Sequence, residues 1–572
     1  MSCTESVFSA CNCSDQTPGE IKAAQWLHLH IPKTVVVHRR EMDLKLIGLE
    51  ANAMLITIAL FVVFIALLAW YSTSAFSQLE RVGIRHPKPI PFIGNMLLFQ
   101  KGFWEAHSML MKTYGPICGY YMGRQMTILV AEPEAIKQVL VKDFSNFTNR
   151  MQKRNIALKP MSDSILCLRD GRWKHVRSVL TPTFSALKMK EMSPLINQAC
   201  DTLLKNLMVY ADSGKEFDIQ SFYGWFTMDV VASVAFGTQV DSQKNPNDPF
   251  VEHSKMFFQF SLFKPIIILV VAFPFIRPLM KILPNNRQSK ISTFFVGVIK
   301  SLIALRDQQP PNERRQDFLQ LMLDARNTID TIDVDHFDIV NQADLLLQNE
   351  ESSNKKTPLK KVQKILTEDE ILGQAFIFLI AGYETTCNSL SFATYLLATN
   401  PRCQEKLLRE VDEFTEKHVI PEYGTVQEMP YLDMVIAETL RMYPPAFRFS
   451  RETSKDCDVT GQCIPAGSLV EIPVGYIHYN PEHWPEPEKF IPERFTPEAK
   501  QKRSPFVYLP FGAGPRSCIG MRLALLELKI TLVRVLQKYK FETCSRTQIP
   551  LLLKSETTLG PKNGVHIKIV TR

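Results

Sequence analysis

Residues 511–520 read "FGAGPRSCIG", a run in which Gly512, Gly514 and Gly520 leave the backbone around Cys518 almost bare of side chains. Glycine permits tight turns and close approach of the backbone to another group. With Arg516 two residues before the sulfur and Phe511 seven before it, the loop suits something large and anionic lying against it. A thiolate bound to haem iron has these needs: low-dielectric cover, which Phe511 offers, and a few backbone N–H groups to tune the sulfur. The competing reading is a dinucleotide-binding turn, because "GAGPRS" opens like that fingerprint. Ser517 stands where its third glycine belongs, however, and no apolar strand leads into the run.

A haem would also bring two propionates, which call for arginine. Trp173 and Arg177 in "WKHVR" share one helical face, Arg516 adjoins the cysteine, and Arg451 follows the turn at Pro444 and Pro445. Each alone could equally be a surface arginine. Glu438 and Arg441 in "ETLR" lie one helical turn apart. On their own they would be an exposed pair worth about 0.2–0.5 kcal/mol; with Arg494 in "PERF" they could instead be a buried network that fixes the Cys518 loop.

Upstream, Thr367 and Glu370 make a capping box, and "EDEILGQAFIFLIAGYETTCNSLSFATYLLAT" (368–399) runs apolar and helical until Asn400 and Pro401 stop it. That is one helix of roughly 50 Å. Gly382, Glu384, Thr385 and Thr386 interrupt its apolar middle. Hydroxyls inside a helix can bond back to the preceding turn, but a glycine, an acid and two hydroxyls together are better explained by a ligand against the helix.

Residues 53–70, "AMLITIALFVVFIALLAW", nearly span a hydrocarbon core of about 30 Å and end in the interfacial pair Trp70 and Tyr71. No small-residue cleavage pattern follows, so the segment reads as a membrane anchor over 51–73 and not as a signal peptide. Arg81, Arg85 and Lys88 follow it, whereas only Lys45 lies between Met42 and the anchor, which places the large domain in the cytosol by the positive-inside rule; Arg39 and Arg40 weaken that bias. Residues 1–50 read as an extension, and a chain starting at Met42 makes simpler physical sense. Proline alternates through "HPKPIPFIGN" (86–95), giving an extended hinge over 74–95. The catalytic domain then covers 96–572. "PIIILVVAFPFI" (265–276) is too short to cross a bilayer and is either a buried helix or a surface element that dips into lipid. Residues 327–366, ending in "NEESSNKKTPLKK", lack the apolar content to join a core and read as an exposed charged loop.

The net charge of +8 fits an anionic membrane surface, and nothing clusters as a nucleic-acid footprint. Twelve cysteines show neither a CxxC pair nor a disulfide framework, which argues against zinc and for a reducing compartment.

Taken in this order, "WKHVR", "AGYETT", "ETLR", "PERF" and "FGAGPRSCIG" resemble a cytochrome P450 of the membrane-bound microsomal type. The resemblance implies the mainly α cytochrome P450 fold with minor β-sheets, behind an N-terminal transmembrane helix. It implies haem b, with Cys518 as axial thiolate; Trp173, Arg177, Arg451 and Arg516 at the propionates; and Phe511 over the sulfur. Glu438, Arg441 and Arg494 would be structural, and Gly382, Glu384, Thr385 and Thr386 would line the distal pocket, with Glu384 and Thr385 matching an acid and alcohol that deliver protons to bound oxygen. It further implies a monomer in the endoplasmic reticulum membrane, facing the cytosol.

From about Met42 onward, notably in "WYSTSAFSQLE", "FSNFTNR", "DVVASVAFGTQVDS" and "MVIAETLRMYPPAFRF", the chain is similar to a branch of the family that isomerises a lipid endoperoxide. That substrate brings its own activated oxygen, so no external electrons are needed. Members of that branch carry apolar residues where this chain has Thr385 and Thr386, which leaves a second expectation open: a monooxygenase of lipophilic substrates that depends on NADPH and cytochrome P450 reductase. A haem sensor would ligate through histidine, against the Cys518 loop.

Overall fold

The structure, a computed structural model, describes residues 33–150, 159–259, 261–276, 286–327, 331–333, 361–363 and 365–572. The expectations for residues 1–32, including the cysteines and histidines there, lie outside the described residues. The chain divides into Met1–Tyr71 and Ser72–Arg572. The first unit is the helix α1 (Lys33–Thr73). Its stretch Asn52–Thr73 is long and apolar enough to cross a membrane.

The second unit is mainly α. After a turn and the short helix Gln78–Arg81, residues 84–89 run extended and the chain turns at Ile90–Gly94, where Phe92 takes a φ of 66°, so the hinge expected over 74–95 is extended only in its middle. Helix α2 (Phe103–Tyr114) leads into an antiparallel hairpin of β1 (Ile117–Met122) and β2 (Gln125–Val130), rich in the aromatic and β-branched residues that favour strands. The helices α3 (Asp170–Leu180), α4 (Ala186–Ser213) and α5 (Ile219–Phe236) follow. Helix α6 (Pro265–Ala272) buries Val270 and Ala272 but exposes Ile266 and Leu269, with Phe275 exposed just beyond it. Most of the expected charged loop over 327–366 lies outside the described residues; near its ends Thr331–Asp333 pairs antiparallel with Lys361–Gln363.

Helix α7 (Glu368–Thr399) is the axis of the domain. It begins as its sequence dictates: Thr367 Oγ1 accepts from the Glu370 amide at 3.3 Å and Glu370 Oε2 accepts from the Thr367 amide at 2.9 Å. Asn400 ends it and Pro401 starts the next helix. Phe376, Leu379, Ile380, Leu390, Phe392 and Leu397 are almost fully buried, each side chain contributing about 1.5–3 kcal/mol. Along its length α7 packs on α5, and a Cβ at Gly382 would come within 2.7 Å of Val231 Cγ2 on that helix.

After α8 (Pro430–Met442), β3 (Phe449–Glu452) and β4 (Leu469–Ile472) join the first hairpin in a four-stranded sheet of order β1-β2-β4-β3, with β2 parallel to β4 and Arg451 opposite Val470. The Cys518 loop then feeds α9 (Met521–Leu536), which packs on α4. A short hairpin of β5 (Leu553–Lys554) and β6 (Gly560–Pro561) lies near the C-terminus. Every cysteine among the described residues is a free thiol.

Candidate active site

The loop before α9 is built from its glycines. Gly512 and Gly514 take φ of 72° and 69°, and a Cβ at Gly514 would lie 2.1 Å from the Leu140 carbonyl oxygen. Gly514 is therefore required by protein packing, a demand the sequence alone left to a ligand. The turn closes where the Cys518 amide donates to the Phe511 carbonyl at 2.9 Å, which sets the partly exposed Phe511 beside the cysteine. Cys518 itself is partly exposed. Burial of its surroundings pushes the thiol up, while the Gly520 amide, Arg177 and Arg150 favour the thiolate.

Four guanidiniums converge on this loop. Arg177 Nη1 donates to the Ser517 carbonyl at 2.9 Å, and Arg150 donates to the Arg516 carbonyl, so the two peptide oxygens preceding the cysteine are both held by arginine. Arg516 donates to the carbonyls of Thr148 (2.9 Å), Ile165 (3.1 Å) and Leu168 (2.8 Å), and its guanidinium sits 4.0 Å from the centre of the buried Trp173 ring. Arg451, 1% exposed, donates to its neighbour's carbonyl at Ser450. None of the four makes an ion pair with a carboxylate among the described residues, and the buried Nε atoms of Arg150 and Arg451 have no acceptor. The cost shows in their acidities. Burial, then Arg150, Arg451 and Arg177, pushes Arg516 down to about 8; burial pushes Arg177 down to about 10; burial and then Arg150 hold Arg451 well below the usual arginine range.

Unpaired buried cations are expensive unless an anion joins them. A cluster of guanidiniums with no carboxylate ion pair among the described residues, beside a partly exposed thiol, fits a group that carries two carboxylates and a metal with an open thiolate position, as haem does. Arg177, Arg451 and Arg516 come together here with Trp173, which acts as a platform for Arg516. The sequence reading missed Arg150: it ends a polar turn, "FSNFTNR", and no local pattern separates it from a surface arginine.

A second network holds the loop from behind. Glu438 and Arg441 are fully buried and bidentate, with Nε–Oε2 at 2.7 Å and Nη2–Oε1 at 2.9 Å. Arg494 Nε reaches Glu438 Oε1 at 3.2 Å, and Arg441 also donates to the carbonyls of His478 and Pro487 at 2.8 Å. The "ETLR" pair is thus internal. His478 was not singled out from the sequence: its Nδ1 faces the Arg441 carbonyl at 3.0 Å and its Nε2 accepts the Leu509 amide at 2.9 Å, two residues before Phe511.

The middle of α7 has an open face. Phe378, Gly382 and Thr385 are partly exposed and Ala381 is exposed, spaced so as to share one side of the helix, while the other residues from Glu370 to Ala398 are buried. Thr385 lies on that face with its hydroxyl donating back to the Ala381 carbonyl at 2.6 Å. Thr386 is buried, 3% exposed, away from it, and Gly382 serves the contact with Val231. Glu384 is buried and accepts from Lys554 Nζ at 3.0 Å and Thr558 Oγ1 at 3.4 Å.

The cytochrome P450 family signature matches residues 84–568. Thromboxane-A synthase of Macaca fascicularis is 58% identical over 526 residues, covering 92% of this chain and 98% of that protein. Thromboxane-A synthase of Sus scrofa is 57% identical over 91% of this chain and 98% of that protein. Cytochrome P450 3A9 of Rattus norvegicus is 39% identical over 90% of this chain and 96% of that protein.

Proposed function

This chain belongs to the cytochrome P450 family, and from that premise we propose that it isomerises prostaglandin H2 to thromboxane A2, with partial fragmentation to 12-hydroxyheptadecatrienoate and malondialdehyde. The observation that carries the reading is the near full-length likeness to thromboxane-A synthases, well above the likeness to the 3A cytochromes P450.

Haem is the cofactor; when bound, its thiolate-ligated iron supplies a Lewis-acidic, electron-rich centre suited to cleaving the O–O bond that the substrate brings. The chain does the rest. Cys518 provides the sulfur, and the Gly520 amide with Arg177 and Arg150 offsets part of the burial that favours its thiol form. Arg150, Arg177, Arg451 and Arg516 would receive the two propionates, which would relieve the mutual repulsion of the cluster. Glu438, Arg441 and His478 hold Leu509 and hence the loop. Phe378, Ala381 and Thr385 border the lipid on the distal side. Thr385 keeps its proton on the Ala381 carbonyl and Glu384 is engaged by Lys554, so neither is needed for a rearrangement that gains and loses no protons overall.

A second reading, an NADPH-dependent monooxygenase of lipophilic substrates, draws on the hydroxyl of Thr385 at the open face. Comparing the two activities in one preparation separates them. Thromboxane A2 should form from prostaglandin H2 without NADPH, and added cytochrome P450 reductase should not raise its yield. A product that appears only with NADPH and reductase would favour the second reading.

The apolar helix at 52–73 supports attachment to a membrane. The basic residues Arg81, Arg85 and Lys88 after it support an orientation with the catalytic domain on the cytosolic side, and the family resemblance supports the endoplasmic reticulum membrane.

A further inference from the structure

An ion pair bordering the open face of α7 joins residues 170 positions apart: Lys554 Nζ lies 3.0 Å from Glu384 Oε1, with the lysine side chain 37% and the glutamate 8% exposed. Lys554 reaches it from the β5–β6 hairpin, where Thr558 Oγ1 also donates to Glu384 Oε1 at 3.4 Å and Ser555 Oγ to Glu105 Oε2 at 3.5 Å. The Leu559 amide donates to the Pro445 carbonyl at 2.9 Å, Asn388 Nδ2 to the Leu559 carbonyl at 3.1 Å, and the Phe103 amide to the Ser555 carbonyl at 3.3 Å. The passage is close: a Cβ at Gly560, opposite Lys554 in the hairpin, would lie 2.8 Å from both Lys554 Cε and Asn388 Nδ2. Glu384 adjoins Thr385, whose hydroxyl is already spent on its own helix. With both polar groups satisfied by the chain, the wall offers an apolar lipid no free carboxylate.

We propose that Lys554 is a specificity-determining positioning residue, which holds the Glu384 carboxylate against the C-terminal hairpin and so keeps the α7 wall dry for the lipid. The proposal rests on the isomerase reading for its substrate. A carboxylate released from Lys554 must draw water to itself. That water would lie where the apolar chain of the substrate binds, weakening binding and loosening the substrate's pose during rearrangement.

The test uses the full-length haem-loaded protein and a stable analogue of prostaglandin H2 with one endoperoxide oxygen replaced by CH2, titrated by the shift of the haem Soret band. Lys554→Met should weaken analogue binding by up to about fivefold, the upper end expected from losing one partly exposed ion pair, and should raise the share of fragmentation products from prostaglandin H2. Lys554→Arg should restore both. So should Glu384→Gln in the Lys554→Met background, because it removes the stranded charge, a rescue that loss of hairpin packing would not allow. Lys554→Gln serves as the second variant if Lys554→Met loses haem. Unchanged binding in both variants, or a double variant as weak as the single one, overturns the proposal. Failure of the unmutated protein to make thromboxane A2 would overturn the isomerase reading alone, since the analogue titration still decides the role of Lys554.

Discussion

The amide of Leu509 donates to His478 Nε2 at 2.9 Å, across 31 residues of chain. Because Nδ1 of the same ring faces the Arg441 carbonyl, the imidazole is neutral, with its proton on Nδ1. Burial and then Arg441 push it down to about 3 from an ordinary 6.5. Above pH 6.5 neither the folded nor the unfolded chain binds a proton here, and the stabilisation is complete. As pH falls from 6.5 towards 3, only the unfolded chain takes up the proton and stability is lost, by up to about 1.4 kcal/mol per pH unit. Urea denaturation between pH 7.5 and 5 should show this loss in the native protein and a shallower slope in His478→Gln.

Arg441→Ala leaves Glu438 fully buried without its bidentate partner. The expected cost is about 3–5 kcal/mol, and Arg441→Lys should recover little because a single ammonium cannot match the fork. Thermal denaturation and haem content should fall together in both variants.

Arg150→Ala removes one guanidinium from the cluster and frees the Arg516 carbonyl. Haem should dissociate roughly tenfold faster, the effect of losing one hydrogen bond from a charged donor. Transfer of haem to an excess of an apo-globin acceptor measures the rate, with the overall fold checked by circular dichroism.

What was legible in the sequence was local. The capping box at Thr367, the stop at Asn400, the glycine turn around Cys518 and the turn-apart pair Glu438 and Arg441 all lie within a few residues, where helix and turn geometry act directly. The pairs that escaped are long-range. Arg150 meets Arg516 across 366 residues, His478 meets Leu509 through a fold contact, and Lys554 meets Glu384 from the far end of the chain. Gly382 was legible as special but for a different reason, since only the packed structure brings Val231 against it.

Thr385→Ile removes a hydroxyl that donates to its own helix at 2.6 Å and adds apolar surface to a face already bordered by Phe378 and Ala381. Turnover of prostaglandin H2 should stay within a fewfold of the native rate, whereas a proton-delivering hydroxyl would contribute on the order of 10²-fold. Initial rates of thromboxane formation without reductant measure the difference.

The most direct test of the central claim is a single-turnover experiment: purified holoprotein mixed with prostaglandin H2 under nitrogen with no reductant, the products quantified by mass spectrometry, alongside Cys518→Ser reconstituted with haem. The native protein should convert the endoperoxide to thromboxane A2 and its fragmentation products, and the serine variant should form neither above the uncatalysed background, because an alcohol cannot supply the electron density of a thiolate. No thromboxane from the haem-loaded native protein, or equal yields from the serine variant, would contradict the account.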